Sequence, residues 1–427
     1  MADDVATGRG AEEPEIRGRG WFAVPLWQRV IAALVLGVLA GLLWGEGAEN
    51  IKWIGDLFIR AIKMLVVPLI FFSLVAGVAS IGSLKKLGSV GGRAIGLFLG
   101  TGLIAVTLGL TLGTLIEPGA GLDSVPEMGE APEASPQTVT EMILAMVPDN
   151  PVAAMANGDV LQLIVFSLLF GIGIVMAGKV AEPLKQGIEG GAVIMQKVTM
   201  IVMELTPFGV FALIAWVVGT QGTEVLLILG KLVLGLYLGC LIMIAIVYVA
   251  IVKFIARVPA IDFFRGVVDA QAVAYSTPSS NPPQPVTLRC VQRNLGVSQS
   301  VSGFTISLGA TVNMDGTALY LGMATLFGAQ IFGVDLSMTD YLLVMLTSTL
   351  ASIGAAGIPG AGLIMMTLVF STVGVPLETI AFVAGVDRIM DMMRTMTNVT
   401  GDCAVTTAVA RMTGELDEAE LRSADDV

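Results

Sequence analysis

The chain has 427 residues, 55% of them hydrophobic and only 14% charged, with a mean hydropathy of +0.84. Those values exclude an ordinary soluble domain and fit a polytopic helical membrane protein. The formal charge of −12 does not point to a cationic partner or to nucleic acid, because 18 of the 35 acids fall in residues 1–20, 117–149 and 413–427, which read as two solvated tails and a loop.

The first apolar run, PLWQRVIAALVLGVLAGLLWG (25–45), follows a polar tail and is long enough to serve as an uncleaved anchor. A second run covers about Ile51 to Ile81 and a third covers Ala94 to Ile116. The acidic, proline-rich stretch 117–136 reads as a loop. A fourth apolar region lies at 159–178, a fifth at roughly 190–219 with a break at Pro207, and a sixth ends near Phe254. Arg9, Arg17, Arg19 and Arg29, with Lys85, Lys86 and Arg93, put the N-terminus and the 84–93 loop on the cytoplasmic side; the 117–149 loop, without Lys or Arg, falls outside.

Residues 260–412 are apolar but interrupted. STPSSNPPQP (276–285) and SIGAAGIPGAG (352–362) are too rich in Pro, Gly and Ser for continuous helix, and each precedes an apolar segment that carries polar groups. Such a paired interruption is the sequence mark of a transporter binding site. Between them lies TVNMDGTAL (311–319), whose Asp315 would cost about 2.5–3.5 kcal/mol at the centre of a membrane helix. Unwinding at Asn313-Met314-Asp315-Gly316 exposes carbonyls that, with Asn and Asp oxygens, suit a hard cation such as Na⁺.

In the last apolar segment, Asp387, Arg388, Asp391, Arg394, Thr395, Asn398 and Asp402 fall within an arc of about 120° at ~100° per residue. Ile389, Met390, Met393 and Met396 lie outside it. The bland reading is a salt-bridge stripe that only holds helices together; the sharper one is a substrate or ion path. Arg394 can grip a carboxylate bidentately and Asp391, one turn away, can take an ammonium. Helix N-termini at the breaks, Ser279, Ser280 and Asn398 can take a second carboxylate, and Gly357, Gly360 and Gly362 permit close approach and gating. Two carboxylates and one amine describe aspartate or glutamate. Cys240, Cys290 and Cys403 form neither a disulfide framework nor a metal pattern, and with no histidine in the chain imidazole proton relays are excluded.

NMDGTALY (313–320), SIGAAGIPGAG (352–362), DMMRTMTNVTGD (391–402), KMLVVPLIFFSLVAGV (63–78) and the serine pair in STPSSNPPQPVT resemble the glutamate transporter family, the dicarboxylate/amino acid:cation symporters. The resemblance covers nearly the whole chain apart from the tails. It implies an all-α polytopic membrane protein of eight transmembrane helices and two re-entrant hairpins, with inverted repeats, working as an elevator in a homotrimer. The implied divisions are a cytoplasmic tail at 1–24, scaffold helices at 25–93 and 137–222, and transport-domain helices at 94–117 and 223–257. An acidic extracellular loop at 118–136, a first hairpin at 258–293, an unwound seventh helix at 297–332, an outer-gate hairpin at 338–374, an eighth helix at 378–412 and a cytoplasmic tail at 413–427 complete them.

By the same resemblance Arg394, Thr317 and Gly362 would hold the side-chain carboxylate, Asp391 and Thr395 the amine, and Ser280 and Asn398 the α-carboxylate. Ser279, Met314, Ile358, Gly360 and Ala361 would line the pocket. One cation site would use Gly309, Asn313, Asn398 and Asp402, and a second carbonyls near Thr311, Met314, Ser352, Ile353 and Ala355. A third would join Asp315 and Asn313 to Thr101, but Phe98 and Gly102 stand where sodium-coupled relatives carry Tyr and Ser. Pro278 stands where archaeal members have an Arg and Met392 where animal members have one; Arg388 can compensate from one turn away.

The expected function is import of L-aspartate or L-glutamate coupled to Na⁺, without an organic cofactor or enzymatic step, in the plasma (inner) membrane with both termini cytoplasmic. The partners are lipids and two further copies of the chain. A C4-dicarboxylate carrier and a proton-coupled symporter are the near alternatives; the former, in this family, has Ser at position 391, so Asp391 favours the amine. An intramembrane aspartyl protease built on Asp315, Asp391 and Asp402 is disfavoured by the adjacent Arg394 and Asn398, and an anion channel is a further alternative.

Overall fold

The computed structural model describes residues 24–79, 90–121, 144, 147–277, 283–354 and 360–421. Among these the chain is helical, with one isolated antiparallel bridge between Val297 and Leu416. The first half contains α1 (Leu26–Trp44), α2 (Lys52–Ala79), α3 (Gly92–Ile116), α4 (Pro151–Asn157), α5 (Val160–Ala177), α6 (Glu182–Met203), α7 (Thr206–Gln221) and α8 (Glu224–Ile242). Beyond Ile242, α8 continues through two π-helical turns, Met243–Tyr248 and Ile251–Ala256. The second half contains α9 (Ala260–Ser276), α10 (Gln284–Arg289), α11 (Gln299–Val312), α12 (Asp315–Phe332), α13 (Met338–Gly354), α14 (Ala361–Thr372), α15 (Thr379–Ala384), α16 (Asp387–Thr413) and α17 (Glu418–Leu421).

Four stretches among the described residues are long and apolar enough to cross a bilayer: Gln28–Ala79, Gly92–Ile116, Gln162–Met203 and Glu224–Ala256. The first and third each run through two helices. Helix α11 falls outside this group because it has only 14 residues, and α12 and α16 because they carry polar and charged residues, of which Asp315, Asp387, Asp391, Arg394, Asn398 and Asp402 are buried in protein. Leu39, Leu43, Leu169, Leu234 and Ile246 instead face outward, as lipid-facing residues do.

Two packing groups emerge. Helix α1 lies along α7, and α2 packs on α5, α6 and α7. The α1–α7 approach uses Gly37 and Gly41, four residues apart; a Cβ on Gly41 would sit 2.7 Å from the Ala215 carbonyl oxygen. In the second group α12 is buried on nearly every side and packs on α3, α13, α14, α8 and α16. Helix α16 also packs on α9, α11 and the second π turn of α8.

The region read from sequence as a span over 190–219 with a break at Pro207 is two helices, α6 and α7. Chain turns at Glu204–Leu205 end α6, and Pro207 falls in the first turn of α7, where it loses no helical hydrogen bond. Glu204 is held at that turn by Arg29, whose Nη1 and Nη2 donate to its carboxylate at 2.6 and 3.1 Å. Arg29 therefore lies within α1 as a buried ion-pair partner, and its weight in a count of cytoplasmic loop charge is lost.

At the far end of α16, Glu415 accepts hydrogen bonds from Ser298, the N-cap of α11, and from Ser300. These bonds hold its carboxyl below its ordinary value of 4.5. A depressed carboxylate pKa stabilises the fold above the unfolded value, and that contribution is lost as pH falls through the folded one. Glu415→Gln is thus expected to melt slightly below the parent at pH 7 and to converge with it well below pH 4.5, as read by thermal melts of purified protein at the two pH values.

Candidate functional site

The site forms at the break between α11 and α12, against the unbroken helix α16. Helix α11 ends at Val312; Asn313 (φ −94°, ψ 87°) and Met314 (φ −118°, ψ 51°) leave the helical region, and α12 restarts at Asp315. Only two residues unwind. The carbonyl end of α11 and the N–H end of α12 are thereby left side by side inside the protein, where each must find partners. Asn398 on α16 supplies one: its Oδ1 accepts the Gly316 N–H at 2.8 Å, and its Nδ2 lies 3.2 Å from the Met314 sulfur. Gly316 is required there, since a Cβ would stand 2.6 Å from the Arg394 carbonyl oxygen.

One side of Asn398 is a charged cluster. Arg394 Nη2 donates to Asp387 Oδ1 at 3.0 Å and to Asp391 Oδ1 at 2.8 Å. Its guanidinium lies 3.9 Å from the centroid of the Tyr320 ring, and the Tyr320 hydroxyl donates to Asp387 Oδ1 at 2.7 Å. The cation is thus held flat by a ring face and pinned at one nitrogen. Its Nε and Nη1 are buried and have no hydrogen-bond partner among the described residues. Nη1 is turned toward Gly362 in the first turn of α14, where any side chain would collide with it. Gly360 caps α14 at φ 73°, a conformation that favours glycine.

On the other side is an acidic, oxygen-rich cluster. Asn313 Nδ2 donates to Asp402 Oδ1 at 2.9 Å and to the Asn398 carbonyl at 3.2 Å, while its Oδ1 is buried with no partner among the described residues. Asp315 Oδ1 accepts from Thr101 at 3.2 Å and its Oδ2 from Tyr248 at 2.8 Å. Gly309 lies against the Asp402 carboxylate. Asp315 and Asp402 are 1% and 2% exposed, and no ion pair reaches either among the described residues. Two buried carboxylates without a countercharge require neutralisation by a cation or a proton. An orphaned amide oxygen beside them fits a hard cation.

The structure therefore gathers Gly309, Asn313, Asp315, Thr101 and Asp402 in one cluster, and Asp391, Arg394 and Gly362 in the other, with Met314 and Asn398 between. Thr317, Gly360, Ala361 and Thr395 are buried on the same helices. Thr311 departs from this grouping, its methyl lying 2.9 Å from where a Cβ on Gly77 of α2 would be. Ser352 is buried, with its hydroxyl donating to the Thr349 carbonyl at 2.8 Å. Ser279, Ser280, Ala355 and Ile358 lie outside the described residues, and Ile353 is placed by its backbone alone. Two readings from sequence are modified. In this structure Arg394 Nη2 is engaged by the two aspartates, and the Asn398 side chain by Gly316 and Met314. Sequence reasoning missed Tyr320 and Tyr248, and gave Asp387 no role beyond the polar stripe; a tyrosine within an otherwise apolar membrane helix, whose hydroxyl demands a partner, was the available signal.

Comparison with known proteins identifies the family. The profile of the sodium:dicarboxylate symporter family matches residues 26–412. The chain is 35% identical over 406 residues to a proton/sodium-glutamate symport protein of Bacillus caldotenax, covering 92% of this chain and 95% of the relative. It is 36% identical over 410 residues to the proton/glutamate-aspartate symporter of Escherichia coli K12, covering 92% and 93%. It is 35% identical over 402 residues to the C4-dicarboxylate transport protein of Bacillus subtilis 168, covering 92% and 94%. With a matched profile over nearly its full length and relatives at 35–36% identity along most of the chain, this chain belongs to the sodium:dicarboxylate symporter family.

Proposed function

We propose that the protein carries L-aspartate or L-glutamate across the plasma membrane in symport with Na⁺. The observation that carries this reading is the half-engaged Arg394, a fully buried cation with Nη2 held by Asp387 and Asp391 and with Nη1 and Nε unpartnered. A substrate carboxylate meets Nη1 directly. The substrate ammonium takes the Asp391 carboxylate, which releases one hydrogen of Nη2 and lets Arg394 grip the carboxylate with two nitrogens. Amine and carboxylate recognition are then coupled through Asp391, which favours an amino acid over a plain dicarboxylate. The N-terminus of α14 and the serines at 279–280 are suited to the remaining carboxylate.

The acidic cluster would hold the coupling ion. Asp315, Asp402, Asn313 and Thr101 supply hard oxygens, and the ion neutralises carboxylates that burial otherwise penalises. The ion cluster and the substrate cluster meet at Asn398 and at the α11–α12 break, so filling one fixes the walls of the other. In the same reading the helices around α12 and α16 move as a unit against α1, α2 and α5–α7, the breaks before α10 and α14 form the gates, and three copies assemble in the membrane with their termini cytoplasmic.

A C4-dicarboxylate carrier is the second reading, because the relatives at 35% identity include both kinds. The deciding measurement is uptake of radiolabelled L-aspartate into liposomes under separate sodium and proton gradients, with succinate as competitor. Accumulation with an inward sodium gradient at equal pH is expected, and excess succinate should leave most of it intact. Uptake driven by a pH gradient in sodium-free buffer would replace sodium by the proton; displacement by succinate would replace the amino acid.

A further inference from the structure

The cation cluster is short of oxygens on one wall. Helix α3 offers it Phe98, Thr101 and Gly102, and only Thr101 carries a hydroxyl. The Phe98 ring tip lies 3.1 Å from where a Cβ on Gly309 would be, so it stands at the site without contributing an oxygen. A Cβ on Gly102 would lie in ordinary contact 3.7 Å from Asp315 Oδ1, so glycine stands beside the carboxylate without supplying an oxygen.

The opposite wall supplies what is missing. Helix α8 changes from α to π over Met243–Tyr248, and the segment ends on Tyr248. A π turn admits one extra residue, which rotates the rest of the helix by about 100° relative to an uninterrupted α-helix. That rotation brings Tyr248, fully buried, to face α12 and α16, with its hydroxyl 2.8 Å from Asp315 Oδ2. Gly401 leaves the passage open, because a Cβ there would stand 2.7 Å from both the Tyr248 oxygen and Asn313 Nδ2. Asn313 Oδ1, buried and unpartnered among the described residues, shows that the cluster still lacks one positive partner. A phenol that donates its proton to Asp315 keeps a lone pair for a cation.

We infer that Tyr248, delivered by the π turn of α8, is a ligand of the coupling cation, completing with Asp315, Thr101 and Asn313 Oδ1 a site to which Phe98 and Gly102 contribute nothing. This rests on the cation-coupled reading and adds to it a specific residue on a helix that sequence reasoning left out of ion binding.

The test uses purified full-length protein without substrate, reading thermal stability against NaCl concentration at ionic strength held constant with choline chloride. The parent is expected to gain stability with sodium. Tyr248→Phe should raise the half-effective sodium concentration about 10-fold or more while melting like the parent at saturating sodium. The exchange variant Phe98→Tyr/Tyr248→Phe, which returns a hydroxyl from the α3 wall, should recover part of that loss. If Tyr248→Phe responds to sodium within twofold of the parent, the phenol is not a ligand and the inference falls alone. A parent that ignores sodium altogether sinks the cation-coupled reading and the inference with it.

Discussion

Arg394→Lys is expected to give a folded transporter whose uptake of L-aspartate is about 10- to 100-fold lower than the parent's at subsaturating substrate. Arg394 is 1% exposed and neutralises Asp387 and Asp391 through a single nitrogen, Nη2. A lysine ammonium can take that place between the two carboxylates and keep their charge. It has no second nitrogen to present toward Gly362, where the free Nη1 now lies. Losing one hydrogen bond to a charged group costs roughly 1.5–3 kcal/mol, and each ~1.4 kcal/mol is tenfold in affinity. Arg394→Ala is the less informative change. It strands two buried carboxylates, and breaking a buried pair destabilises by about 3–5 kcal/mol, so lost transport would then be inseparable from lost fold. The measurement is initial uptake rate in liposomes, with the elution profile and melting temperature of each preparation as controls. Parent-like uptake by a folded Arg394→Lys would show that Nη1 meets no substrate.

The buried polar face of α16 was legible because its signals are local. The polar residues of α16 share one face at helical spacing, and the structure buries Asp387, Asp391, Arg394, Asn398 and Asp402. The break at Asn313–Met314 was legible from Gly316 beside Asn and Asp, since nothing apolar explains that trio in a membrane helix. The place of Tyr248 was not legible. Its hydroxyl in the apolar run of the sixth span signals that it needs a partner, but which partner depends on a π turn over Met243–Tyr248 that the sequence does not mark. Tyr320 was hidden for a related reason: between Leu319 and Leu321 it reads as an ordinary core aromatic, and only the fold stacks it on Arg394. The division of the fifth span was legible in Pro207, but the exact place of the turn was not, because its punctuation is tertiary. Glu204 marks the turn, but its partner Arg29 is 175 residues away. Likewise the engagement of Asp391 with Arg394 follows from spacing, whereas the sharing of Nη2 with Asp387 depends on how the start of α16 is packed.

Asp391→Ser should reverse the substrate order, with succinate becoming a better competitor of uptake than L-aspartate. Overall similarity cannot choose between the two substrate classes, since relatives named for glutamate and for C4-dicarboxylates are equally close at 35% identity. The choice must lie in the charges that face the guest. In the parent, Asp391 holds Arg394 Nη2 at 2.8 Å, and a dicarboxylate without an amine would have to displace one carboxylate while lying beside it. Both effects oppose binding, through a lost charge-assisted bond and through like-charge repulsion. An amino acid avoids both, because its ammonium pairs with Asp391 as its carboxylate takes the arginine. Serine removes the repulsion, leaves Asp387 to neutralise Arg394 at 3.0 Å, and frees one hydrogen of Nη2 for the ligand. It also removes the carboxylate assigned to the amine, at a cost of about 1.5–3 kcal/mol, or roughly 10- to 100-fold in L-aspartate affinity. The two shifts have opposite sign, so their ratio is a sharper readout than either rate. Competition of succinate, L-aspartate and L-glutamate against a common labelled substrate in parent and variant liposomes measures it directly. An unchanged order would mean that the amine is recognised elsewhere and that Asp391 serves only to hold Arg394 in place.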